Sequence, residues 1–169
     1  MARVTNLIEI TPHLRLLEKK LIVPVLFGIQ TFTSERKKMF PGFFELGDTS
    51  VKNGLPGDPT EETSSAVYEM IAGGNLIEIL RCIDSKIEPF FWGSEAQIIS
   101  WVKKHRQHLH PDGYGAFFPL ITNGEYLTIH IGLHRETRLL GVSAAHCGQK
   151  GKLVFVEGVI PRLVIPQPE

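Results

Sequence analysis

The sequence predicts an α+β domain, a mainly antiparallel sheet with about three helices packed on it, and three observations carry that prediction. The first is the stretch 115–134, GAFFPLITNGEYLTIHIGLH, where two alternating apolar runs flank Asn123-Gly124. That dipeptide readily supplies the two positive-φ residues of a type I′ hairpin turn. The second is a pair of further strand-like runs, 137–145 and 152–160, so that residues 116–165 build most of the sheet. The third is a set of helix-start signals in the earlier part of the chain, at Thr11-Pro12, Thr60-Glu61-Glu62 and Ser94-Glu95-Ala96-Gln97. Helices segregated from a run of strands define the class. At 169 residues the chain is expected to form one domain, 1–169, with enough core to fold without disulfides or metals.

Taken in order, Thr11 caps a first helix in which Leu14, Leu17 and Leu21 share one face. Residues 21–32, LIVPVLFGIQTF, then read as a buried strand edged by Pro24, and the polar run SERKKMF ends it. Residues 41–59 form a long loop rich in Gly and Pro, with a short strand near Phe43 and Phe44. A loop of that length in a compact domain is a contact candidate. Thr60 opens a second helix with Val67, Met70 and Ile71 on its apolar face, stopped by Gly73-Gly74. Residues 75–84, NLIEILRCID, alternate as a strand, and Phe90, Phe91 and Trp92 are expected in the core. Ser94 caps a third helix running towards His108 and burying Ile98, either Trp101 or Val102, and His105. In the hairpin, pairing Thr122 with Glu125 sets Leu120 against Leu127 and Phe118 against Ile129 on one side. Ile121 then meets Tyr126, and Phe117 meets His130, on the other. Both sides are mostly apolar, so cover is expected on both. Pro161, Pro166 and Pro168 close the chain in extended form.

Composition narrows the function. Eighteen basic residues balance eighteen acidic ones, which argues against general nucleic-acid binding. Lys103, Lys104 and Arg106 read as the solvated end of a helix. Zero net charge leaves self-association into a homo-oligomer open. Cys82 and Cys147 lack CxxC spacing, the N-terminal stretch lacks a signal-peptide apolar core, and no apolar run is long enough to span a bilayer. A soluble, reduced, cytoplasmic chain without membrane contact is the expectation. GxGxxG, GxxxxGK[ST] and HExxH are absent from the sequence, and no cofactor is expected.

Three groupings of residues bear on chemistry. Tyr126, Thr128 and His130 lie at alternate positions of one strand and so share a face; with the 41–59 loop, and with Arg81 and Arg138 as further ligand-binding residues, they are the expected contact surface for a protein partner or a small carboxylate-type ligand. Six of the seven histidines fall between His105 and His146. His105, His108 and His110 are the ligands to expect if the chain holds a metal. Glu157 is a lone acid inside LVFVEGVI, and Glu78 and Arg81 stand in the other apolar run. A carboxylate there is costly to bury unless it is paired, with Arg81 or Arg138, or used as an acid or base.

LIEIL leading to a turn at Asp84, the later GAFF, and a last strand in which Glu157 precedes Pro161 together resemble, in order, the chorismate lyases. The resemblance is confined to short pieces between Leu76 and Pro161. It implies a small antiparallel sheet with helices and a metal-independent removal of pyruvate from chorismate, with Glu157 matching the family's acid. The sequence departs from that pattern before Glu78, where the family's arginine is replaced by Ile77. The leading expectation is thus a small binding domain. The alternatives are an enzyme of the chorismate lyase kind using Glu157, and a histidine-ligated metal protein.

Overall fold

The computed structural model describes residues 14–109, 115–147 and 161–167. Its elements in chain order are β1 (Leu14–Val23), α1 (Phe32–Met39), the two-residue β2 (Phe44–Glu45), β3 (Thr63–Met70), α2 (Leu76–Arg81), α3 (Glu95–His105), β4 (Ala116–Thr122), β5 (Glu125–Leu133), β6 (Leu140–His146) and β7 (Arg162–Pro166). The strands form one seven-stranded sheet in the order β1-β3-β7-β4-β5-β6-β2. The fold is α+β, but the sheet is mixed. β7 lies parallel to β4 and β2 lies parallel to β6, while the remaining pairs are antiparallel. Neither parallel pair is joined by a hairpin, so no turn dictates strand direction there.

The central hairpin has the predicted register, Thr122 opposite Glu125 through Phe117 opposite His130. Asn123 and Gly124 both carry positive φ, 49° and 74°, as the turn requires. α3 also starts where expected, with the Ser94 hydroxyl accepting from Gln97 N at 3.2 Å. The Gln97 side chain reaches back one residue further than a capping box, its Oε1 accepting from Gly93 N at 2.9 Å. The helix ends at His105 and continues to His108 as a 3-10 turn.

The first half of the chain differs from the sequence reading. The segment expected as helix one is β1, an edge strand whose register with β3 shifts between Leu16 and Glu18 and again between Glu18 and Leu21. Those bulges break the period of two, and they let leucines at 14, 17 and 21 imitate helical spacing. Residues 21–32 are not a continuous buried strand: β1 stops at Val23 and Phe32 begins α1. α1 is started by a reciprocal pair in which Ser34 N donates to Thr31 Oγ1 and Thr31 N donates to Ser34 Oγ, each at 3.0 Å.

The expected second helix is β3, flanked by β1 and β7, so the tertiary pairing overrides the acids that precede it. Leu76–Arg81 of the stretch 75–84 are helical instead of extended: Asn75 Oδ1 accepts from Ile77 N at 2.9 Å, and Leu76, Ile79, Leu80 and, just past the helix, Ile83 recur at helical spacing on the buried side. An apolar run this short fits either period. β6 begins at Leu140, three residues later than expected. The Thr11-Pro12 helix start and the 152–160 strand lie outside the described residues.

Two layers of apolar side chains flank the sheet. On one face Phe118, Leu120, Leu127 and Ile129 pack with Ile98, Trp101 and Val102 of α3 and with Phe32 and Phe40 around α1. Indole N–H groups tie this layer to the strands, Trp92 to Val164 O at 3.0 Å and Trp101 to Ser65 Oγ at 2.9 Å. On the other face Tyr68, Met70, Leu163 and Ile165 pack under α2 and under the expected core rings Phe90 and Phe91. That cover is incomplete over β4 and β5. Phe117, Ile121 and His130 are half-buried and Tyr126 is exposed, so the described residues enclose the hairpin fully on one side only.

Candidate functional site

The site is built where β2 docks on the edge of the sheet. Gly42 N donates to Leu140 O at 2.9 Å and Val142 N donates to Phe43 O at 3.0 Å, which holds residues 42–44 extended along β6. Consecutive side chains of an extended segment point to opposite sides. Phe43 stacks on His130, with ring centroids 6.0 Å apart and planes 19° from parallel. It lies against Gly141, where an added Cβ would overlap the ring. Phe44 points the other way, and the Arg36 guanidinium sits over its ring, 4.7 Å from the centroid.

Arg36, Lys37, Phe40, Pro41, Gly42 and Phe44 line a cleft of about 330 Å³. α1 supplies the cations from its last turn, where they also offset the negative end of the helix dipole. Glu35, one residue before Arg36, is taken by Lys103 at 3.8 Å. Neither Arg36 nor Lys37 forms an ion pair with a carboxylate among the described residues. At its other end α1 is anchored by Glu95, a buried carboxylate that accepts from Phe32 N at 3.0 Å. Burial pushes the Glu95 carboxyl up to about 7, the Phe32 N–H acting in the opposite direction.

The expected contact face on β5 is present as a surface. Tyr126 meets Phe91 edge-on at 5.2 Å, Thr128 Oγ1 lies 3.1 Å from Cys147 Sγ, and His130 lies between Phe43 and Phe117, the latter ring 4.9 Å away. Burial raises the Cys147 thiol above its ordinary value, with the Thr128 hydrogen bond opposing, so this sulfur is kept as a thiol and not as a reactive thiolate. Arg81 is exposed in the last turn of α2, on a different element from β5. Arg138 stands in the β5–β6 turn with φ of 57°, its carbonyl accepting from the Arg106 guanidinium at 2.9 Å. Tyr126, Thr128 and His130 thus come together on one strand face, and the two arginines sit elsewhere in the fold.

His105 and His108 are held by local contacts. His105 is buried beside Trp101, and its Nε2 lies 3.0 Å from Ile22 O. The His108 ring is 6.3 Å away. Burial lowers the His108 pKa, Glu18 opposes that shift, and His105 and Arg162 add to it. Among the described residues no three His, Cys, Asp or Glu side chains gather as a ligand set. His110 and Glu157 lie outside the described residues. LIEIL, one of the pieces that resembled the chorismate lyases, forms α2 instead of a strand.

Sequence reasoning passed over Arg36, Lys37 and Phe40. Thr31-x-x-Ser34 ahead of ERKKMF was the available signal, since it marks a helix that carries a basic last turn up to the aromatic Phe43-Phe44 pair. The chain matches no protein-family model, and no curated protein or solved structure matches it either. Among the described residues no helix is long and apolar enough to cross a membrane.

Proposed function

We propose that the chain is a binding domain for small aromatic carboxylates, which it takes into the cleft between α1 and β2. One observation carries the reading: the Arg36 guanidinium is parked on the Phe44 ring beside a second cation, with no ion-pair partner among the described residues. A guanidinium held over a ring and free of a carboxylate partner still has N–H groups to offer to a ligand carboxylate. Phe40, Pro41 and Phe44 supply the apolar walls against which a ring would lie. The two free cysteines, Cys82 and Cys147, support a reducing intracellular setting for that role.

Calorimetric titration with benzoate, cyclohexanecarboxylate and benzamide tests this. Benzoate should bind best, cyclohexanecarboxylate less well, and benzamide worst because it lacks the charge. Hydrogen bonds to a charged group contribute about 1.5–3 kcal/mol, so Arg36→Ala should weaken benzoate roughly 10- to 100-fold. Arg36→Lys keeps the charge without the fork and should fall between. Benzamide binding as tightly as benzoate, or benzoate binding untouched by Arg36→Ala, overturns the proposal.

A further inference from the structure

We infer a second, independent contact surface at the tip of the β1–β3 ribbon: an apolar strip in an acidic surround that docks a partner protein through apolar side chains flanked by Lys or Arg. Beyond Val23 the chain continues beside the segment that leads into β3. Leu26 and Thr60 exchange both backbone hydrogen bonds, at 2.9 and 2.8 Å, in the same register as Val23 opposite Thr63. Carried along, that register sets Val25 beside Glu61 and Phe27 beside Pro59. Gly28, with φ of 71°, is nested against the Gly57 and Asp58 carbonyls with no room for a Cβ. The two segments are therefore held to each other by backbone, while their apolar side chains point to water. Val25 is 58% exposed, Phe27 75%, Ile29 75% and Leu55 62%. Four large apolar residues this exposed on two adjoining segments exceed the scattered apolar exposure of an ordinary surface.

Charge decides what covers them. No Lys, Arg or His occurs between Leu21 and Glu35, or between Lys52 and Arg81, whereas Asp58, Glu61 and Glu62 stand exposed within the tip. A second copy docking tip to tip would set these acids against their own counterparts, and an anionic bilayer would be repelled in the same way. An apolar anchor ringed by basic residues gains on both counts, from burial at the centre and from opposite charge at the rim.

The test is fluorescence anisotropy with a labelled amphipathic peptide of leucine and lysine, its leucine–glutamate counterpart of equal length, and vesicles of zwitterionic or anionic lipid. The leucine–lysine peptide should bind, more tightly at low salt. Phe27→Ser with Ile29→Ser should weaken it roughly tenfold or more, and Glu61→Gln less, because apolar anchors dominate such contacts and rim charges add little. Arg36→Ala should leave it unchanged, which separates this surface from the carboxylate cleft. Failure of the leucine–lysine peptide to bind, equal binding of both peptides, or indifference to the Phe27/Ile29 change overturns the inference. Vesicle binding or a dimer abolished by Phe27→Ser would also overturn it, by naming a lipid or a second copy as the occupant.

Discussion

Replacing Glu95 by Gln should remove a pH dependence that this one side chain gives to the fold. Glu95 opens α3 and holds the start of α1, the helix whose other end carries Arg36. Its carboxyl is buried, which disfavours the charged form and raises its pKa from an ordinary 4.5 to about 7, despite the Phe32 N–H. Between those two values the folded chain keeps a proton that the unfolded chain has released, so stability falls as pH rises. The gap corresponds to roughly 3 kcal/mol lost between about pH 4.5 and pH 7. Gln keeps an acceptor for Phe32 N–H and cannot ionise. Urea unfolding of both proteins from pH 5 to pH 8, at constant ionic strength, should show similar midpoints at pH 5. By pH 8 the Glu95→Gln midpoint should be higher by on the order of 1 M, taking a slope of about 2–3 kcal/mol per M. A midpoint difference that does not change with pH, or one that favours Glu95 at pH 8, would refute the argument that burial governs this carboxyl.

Two further substitutions probe the layers around the sheet. Tyr68 is fully buried, its hydroxyl has no hydrogen-bond partner among the described residues, and burial pushes its pKa up to about 12. Tyr68→Phe should therefore stabilise the fold by about 1–2 kcal/mol, read calorimetrically as a rise of roughly 3–6 °C in Tm, and a fall would mean that the hydroxyl is satisfied. Gly141→Ala would drive a methyl group into the Phe43 ring and push it off His130. A loss of about 1–3 kcal/mol is expected, together with weaker benzoate binding because Phe43 and Phe44 are held by one backbone segment. Unchanged Tm and affinity would show that the segment adapts freely.

What the sequence made legible is what short-range chemistry determines. Asn123-Gly124 sets the hairpin register and Ser94 sets the start of α3, because each signal acts within a few residues. Where the decisive partner is remote, the reading inverted. β1 and β3 are strands because they pair with each other and β3 also pairs with β7, although their leucine spacing and leading acids suited helices. α2 is a helix because Asn75 caps it, although LIEIL alternates as well as any strand. The cleft follows the same rule. Arg36 and Phe44 are eight positions apart, and their contact depends on β2 docking parallel to β6, which no local pattern announces. The face of Tyr126, Thr128 and His130 was legible because alternation along one strand is enough to place it.

The most direct test of the cleft is an NMR titration of the Arg36 guanidinium Nε–H resonance, identified by its loss in Arg36→Lys. Benzoate should shift this resonance saturably, at the concentration where calorimetry places half-occupancy, and benzamide should leave it in place. If benzoate leaves Arg36 unmoved and shifts Arg81 or Arg138 instead, the carboxylate binds elsewhere and the cleft between α1 and β2 is not the site.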